Sequence, residues 1–326
     1  MHPGWSCRLL LGSILILPLW AFGTAPAERF DPGWAPFVAT ITSPESTRTI
    51  LYREFAVFHP PGEEVALQVA EAVSGEYRLH IDGEQQPEEA PGAWRWHTPA
   101  ATGLQRLEIS HRDGAGMKLN LFVETPLDRV RDGEINGYRI GHYPPASSSR
   151  PAIHRPPAGL VEVTEDMVDL AVSPHFRLGQ FLCKQQPGHW PKYLVLQSTL
   201  VEKLELLLAE MNRQGIRTDS LHVMSGYRTP WYNQSIGNVR FSRHVWGAAA
   251  DVFVDRAGDG RMDDLTGDGS SDVTEARILQ RIVEEALADR AAPSLVGGLG
   301  LYGPRPHRGP FIHVDVRGAR ARWESP

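Results

Sequence analysis

Between residues 65 and 123, apolar and polar positions follow one another in short runs. Tyr77-Arg78-Leu79-His80-Ile81, Trp94-Arg95-Trp96 and Leu104-Gln105-Arg106-Leu107-Glu108-Ile109 alternate with a period of two. Val65-Ala66-Leu67-Gln68-Val69 and Leu119-Asn120-Leu121-Phe122-Val123 are more uniformly apolar. Alternation turns one face of a strand toward a core, and a short apolar run suits a strand buried on both faces. Turn residues such as Asp82-Gly83 separate the runs at roughly even spacing. The pattern predicts an all-β domain over residues 28–126, of the immunoglobulin-like sandwich type.

Past residue 157 the period changes. Leu200, Leu204, Leu207, Leu208 and Met211 form one stripe over 197–213, and Gly215 follows as a stop, so a helix is predicted there. A second amphipathic helix, over 274–288, carries Ile278, Ile282, Ala286 and Leu287. Thr164 is placed to cap a helical turn starting at Glu165. Strands are expected at 221–224, at Val252-Phe253-Val254, at the glycine-rich 296–302 and at 311–316. In the last of these, His313 and Asp315 share one face, and Ile312, Val314 and Val316 the other. Helices mixed with short strands over 158–326 are the make-up of an α+β domain. Residues 127–157 are rich in proline and serine and read as a linker, with a short hairpin through Asn136-Gly137.

A length of 326 residues accommodates two domains. A net charge of −6 without a basic stripe argues against nucleic-acid binding, because phosphate counterions would have to be replaced by cationic side chains. Residues 296–302 lack the strand-then-helix setting of a phosphate loop, so no nucleotide is expected. Arg8, an apolar run over 9–22 and Ala25-Pro26-Ala27 match a secretory signal, so residues 1–27 are expected to be removed and the protein to work in the periplasm or cell envelope. Membrane attachment would follow only if that segment stayed uncleaved. Its loss would leave Cys183 as a lone cysteine, with neither a disulfide framework nor a thiolate metal site.

The candidate chemistry gathers around Ser242–Asp255. His244 and Asp251 flank a glycine and three alanines, small residues that let backbone and metal come close, and imidazole and carboxylate both suit zinc. The alternative is a loop histidine beside a strand-capping aspartate. His313 supplies a third ligand, and three ligands leave one coordination position open, as in catalytic zinc sites. By contrast, His222 reads as a packed strand histidine, Tyr302 as an aromatic packing residue and His307 as an exposed loop residue.

Ser-Arg-His244-x-x-Gly-x-Ala-x-Asp251, the upstream Ser225-Gly226-Tyr227-Arg228-Thr229 and the terminal Phe-Ile-His313-Val-Asp together resemble the zinc peptidases of the D-alanyl-D-alanine carboxypeptidase type. That family cleaves peptidoglycan peptides and shares a small α+β metal-binding fold with the hedgehog signalling domain and lysostaphin-type endopeptidases, so the resemblance implies a small antiparallel-sheet domain here. The resemblance covers roughly residues 160–323. It implies zinc on His244, Asp251 and His313, and a substrate-facing role for Arg228. Many members place an acid three residues before the last zinc histidine as general base, and this chain has Pro310 there. Asp315 is the nearest acid and the first candidate for that base, and the other role open to it is the partner that orients a zinc histidine.

A second metal is suggested by the acidic loop over 255–275. Counted from Asp264, the EF-hand pattern is met at Asp264, Asp268, Gly269, Asp272 and Glu275, with Thr266 at position three and a helix following but none preceding. Calcium on these carboxylates is one expectation and a solvated acidic loop the other. The functional expectation is therefore a zinc peptidase acting on peptidoglycan stem peptides or cross-links, with a non-catalytic zinc-containing wall- or partner-binding module as its rival. A secreted calcium-binding adhesion protein is a further alternative.

Overall fold

The computed structural model describes residues 29–145, 147, 151–288 and 293–325, together with Met1. The expected export signal lies outside the described residues. Nine strands form the N-terminal part: β1 (Trp34–Ser43), β2 (Ser46–Tyr52), β3 (Glu54–His59), β4 (Glu64–Val69), β5 (Tyr77–Ile81), β6 (Glu84–Gln85), β7 (Ala93–His97), β8 (Gly103–His111) and β9 (Gly116–Val123). They make two sheets, ordered β2-β1-β4-β7 and β3-β9-β8-β5-β6. Ile41, Leu67 and Trp94 of the first sheet and Leu79, Leu107 and Leu119 of the second are buried in one continuous core, as the alternation requires. β3 runs parallel to β9, a pairing that links the first third of this part to its end.

Within 127–157, several of the described residues are built into the fold. Three short strands, β10 (Thr125–Pro126), β13 (Gly159–Val163) and β14 (Lys192–Leu194), form a sheet of their own. Between β10 and β13, β11 (Glu134–Ile135) and β12 (Tyr138–Arg139) close the hairpin at Asn136-Gly137, and both turn residues have positive φ. Tyr138 and Ile140 are buried. Proline and serine content hid this anchoring because isolated side chains, Tyr138 and Ile140, and not a periodic stripe, do the packing.

The C-terminal part holds the predicted helices α1 (Ser198–Arg213) and α3 (Val273–Ala288), with the short α2 (Pro230–Ser235) between them. The turn after Thr164 is a 3-10 turn, Glu165–Met167, and Thr164 hydrogen-bonds Asp166 instead of capping backbone. Its sheet consists of β15 (His222–Ser225), β16 (Ala249–Phe253), β17 (Gly298–Tyr302), β18 (Phe311–Asp315) and β19 (Ala321–Ser325), in the order β15-β16-β18-β17-β19. The pairs are antiparallel except β17 with β19, which is parallel and departs from the expected all-antiparallel sheet. α3 packs against β17 and β18, and α1 packs against α3. Among the described residues no helix is long and apolar enough to cross a membrane.

The two parts are bound to each other. Ala56 donates its N–H to the Val172 carbonyl at 2.9 Å, and Ser198 at the start of α1 donates its hydroxyl to the Ala56 carbonyl at 3.1 Å. Asn120 Nδ2 reaches the Ala171 carbonyl at 2.8 Å, and Arg48 reaches Thr199 Oγ1 at 2.8 Å.

Candidate metal centre

Cross-strand register builds the site. Asp251 on β16 lies opposite His313 on β18, which lies opposite Gly300 on β17, which pairs with Trp323 on β19. All four therefore share one face of the sheet. The other face, carrying Val252, Ile312, Val314, Leu299 and Leu301, is buried core. Gly300 leaves the space that the Trp323 ring fills, and that ring lies 5.2 Å from the His313 ring.

His244 reaches the same point from the 3-10 turn Arg243–Trp246. Gly247 ends that turn with a φ of 60°, and a Cβ there would run into the Val195 carbonyl, so glycine is required twice over. The stretch expected as a linker braces this turn. Arg243 donates to the Ile153 carbonyl at 2.5 Å, Trp246 Nε1 donates to the Arg155 carbonyl at 2.8 Å, and the Tyr143 hydroxyl bonds the Tyr227 hydroxyl at 2.8 Å and the Val245 carbonyl at 3.1 Å.

His244, Asp251 and His313 are all buried, and each offers one ligand atom within 4.8 Å of the others. His244 Nε2 lies 3.2 Å from Asp251 Oδ1 and 3.2 Å from His313 Nδ1, and His313 Nδ1 lies 2.8 Å from Asp251 Oδ1. The outer ring nitrogens set the tautomers. His244 Nδ1 must donate, because its partner at 2.7 Å is the Gly226 carbonyl. His313 Nε2 faces the Asp315 carboxylate at 3.2 Å. Both inner nitrogens then turn lone pairs toward a carboxylate oxygen, an arrangement that needs a cation or a proton at its centre. Two imidazole nitrogens and a carboxylate oxygen suit zinc, so the residues fit that ion.

The charges respond accordingly. Burial pushes His244 down, against the pull of Asp251. Burial would also lower His313, but its hydrogen bonds to Asp251 and Asp315 outweigh this and raise it. Burial would raise Asp251, yet His244 and His313 hold it well below the usual carboxylate range.

Asp315 lies on the far side of His313 from the cluster and is fully buried. Its oxygens accept from Gly298 N–H at 2.8 Å and from Arg317 Nη2 at 2.5 Å, and these bonds with that of His313 keep it ionised against the effect of burial. This is the placement of the orienting role, the second of the two roles open to it. Lys203 on α1 steadies the same strand, donating to the Asp315 main-chain carbonyl at 2.8 Å and to that of Leu295 at 3.0 Å. Arg228, expected to face substrate, spends Nη2 on Asp251 Oδ2 at 2.6 Å and Nε on Ser225 Oγ at 2.8 Å.

The remaining sequence candidates sit elsewhere. His222 stacks on Phe253 at 4.5 Å, Tyr302 stacks on Phe311 at 4.6 Å, and His307 is exposed. Of the loop carboxylates Asp264, Asp268, Asp272 and Glu275, Asp264 and Glu275 come together on Thr266 Oγ1, at 3.1 and 3.2 Å, while among the described residues three ligand atoms close to within 4.8 Å of one another at His244, Asp251 and His313. Asp264 accepts from the N–H groups of Gly267 and Gly269, and Glu275 accepts from that of Asp272, so these carboxylates order the loop's own backbone. A groove of about 1210 Å³ between Asp31, Trp34, Arg213, Arg217, His222 and Asp255 contains none of the cluster residues.

Residues 175–266 match the family model described as Peptidase M15. That segment resembles a peptidase M15 domain. M15 is a zinc-dependent metallopeptidase family, and the matched segment contains Arg228, His244 and Asp251, with His313 beyond it. No curated protein matches the chain. Among solved structures, a polysaccharide lyase matches at 10% identity over 77% of this chain, with a TM-score of 0.19, too low to bear on the fold. The chain spans 31% of the length of that lyase.

Proposed function

We propose that the C-terminal part is a zinc peptidase that hydrolyses peptidoglycan stem peptides or cross-links, acting in the periplasm or cell envelope after export. The observation that carries this reading is the convergence of three lone-pair atoms from His244, Asp251 and His313, with both outer ring nitrogens committed as donors. Zinc held there supplies Lewis acidity, which lowers the pKa of water toward about 7 and polarises the scissile carbonyl. The protein's own residues prepare the ground. The Gly226 carbonyl and the Asp315 carboxylate keep the two imidazoles in their ligand tautomers. Arg228 fixes the free oxygen of Asp251 and keeps Nη1 for the developing oxyanion. The peptidoglycan substrate is supported by the three sequence motifs, and export by the apolar N-terminal run with Ala25-Pro26-Ala27.

The test is mass spectrometry of soluble peptidoglycan fragments incubated with the mature chain, with zinc and separately with a chelator. Chelator-sensitive loss of one terminal alanine identifies a carboxypeptidase, and halving of cross-linked fragments an endopeptidase. Unchanged fragments with zinc bound would favour the non-catalytic module, the reading that Pro310 in place of the family's acid supports.

A further inference from the structure

The face of the sheet that bears the ligands continues past them. Phe311 lies two residues before His313 on β18 and therefore on the same face, and Tyr302 pairs with Phe311 across β17. The guanidinium of Arg308 lies over both rings, 4.7 Å from the Phe311 centroid and 5.6 Å from that of Tyr302. It is thus planted one step along the sheet from the metal ligands, on their side. Asp251 is near enough to oppose the lowering of the Arg308 pKa by burial and by Arg305.

The side chain is held in place but not neutralised. Residues 305–308 close a tight turn, with Arg305 N–H donating to the Arg308 carbonyl at 2.8 Å and Arg308 N–H returning to that of Arg305 at 3.1 Å. Arg308 Nη1 donates to the Gly303 carbonyl at 2.7 Å and the Gly309 carbonyl at 3.3 Å. Among the described residues, no carboxylate pairs with Arg308, and its Nε and Nη2 have no protein acceptor. Those two donors form the edge of the guanidinium that binds a carboxylate with two parallel hydrogen bonds. Arg228 cannot offer that edge, since its own Nε and Nη2 are taken by Ser225 and Asp251.

We propose that Arg308 binds the free C-terminal carboxylate of a peptide substrate through its Nε–Nη2 edge, beside the His244–Asp251–His313 cluster. The inference rests on the peptidase reading for its substrate class, and it makes the enzyme one that removes a terminal residue. The aromatic pair beneath the guanidinium keeps it aimed and partly desolvated, which strengthens a charge-assisted pair.

The test uses an N-acetylated tripeptide ending in D-alanyl-D-alanine, and its C-terminal amide, with wild type, Arg308→Ala and Arg308→Lys. Binding is read by equilibrium dialysis on metal-stripped protein, and kcat/KM on zinc-loaded protein. The wild type should bind and cleave the acid at least about tenfold better than the amide. Arg308→Ala should abolish that preference by weakening the acid alone, and Arg308→Lys should restore part of it. Circular dichroism spectra matching wild type establish that the variants are folded. Equal binding of acid and amide by wild type, or a preference that survives in Arg308→Ala, overturns the inference. If wild type cleaves neither peptide yet binds the acid in an Arg308-dependent way, the peptidase reading falls and the carboxylate site stands.

Discussion

His313 Nε2 stands 3.2 Å from Asp315 Oδ2, on the side of the ring away from Asp251. The contact fixes which nitrogen carries the proton and turns Nδ1 toward the other ligands. Asp315→Ala should therefore weaken zinc binding by about 10–100-fold, with activity falling in step. Competition with a fluorescent chelator measures the first and a peptide assay the second. Full zinc affinity with activity lost would instead return Asp315 to the role of general base.

Largely buried Arg228 and buried Asp251 form an ion pair at 2.6 Å. Removing one partner strands the other, so Arg228→Ala should destabilise the metal-free protein by about 3 kcal/mol. Zinc on Asp251 would take over part of the arginine's charge balance, so the loss should shrink in zinc-loaded protein. Urea unfolding with and without chelator compares the two; an equal loss in both would separate Asp251 from the metal.

Gly247→Ala should cost about 2–4 kcal/mol, from the positive φ and the collision with Val195. Because that glycine ends the turn carrying His244, zinc affinity should fall in the fraction that still folds. Thermal melts followed by zinc titration provide the check, and wild-type affinity in the variant would mean that the turn does not position His244.

Burial pushes the Lys203 ammonium from its ordinary 10.5 down to about 8, with Asp315 pulling the other way. Between those pH values the unfolded chain holds a proton that the folded one has lost, so stability from this group rises with pH across the window. Relative to Lys203→Met, wild type should gain on the order of 2 kcal/mol between pH 7 and pH 9.5. Unfolding free energies of both proteins at the two pH values give the comparison. A constant difference would show that Lys203 does not change protonation there.

Much of the site was legible because the ligands sit on patterned elements. Alternation over 311–316 put His313 and Asp315 on one face, and the alanines after Gly247 marked a crowded approach. The division of labour between carboxylates was not legible. Asp251 and Asp315 are each a carboxylate close to a histidine, and only the register Asp251↔His313, with Asp315 two residues further along β18, puts one inside the cluster and the other behind it. Arg308 lies in a proline-rich loop without a period, so its stacking on Tyr302 and Phe311 left no mark in the pattern. The β-domain strands followed from alternation, whereas the parallel pairings β3 with β9 and β17 with β19 join segments distant in sequence, which local periodicity does not encode.

The most direct test of the zinc-peptidase account is a titration of zinc into metal-stripped protein while hydrolysis of a peptidoglycan peptide is followed. Activity should be absent at the start, rise in proportion to added zinc and level off at one equivalent. His244→Ala and His313→Ala should stay inactive while the N-terminal part remains folded. Hydrolysis that persists in the stripped protein, or that is undiminished in either variant, would contradict the account.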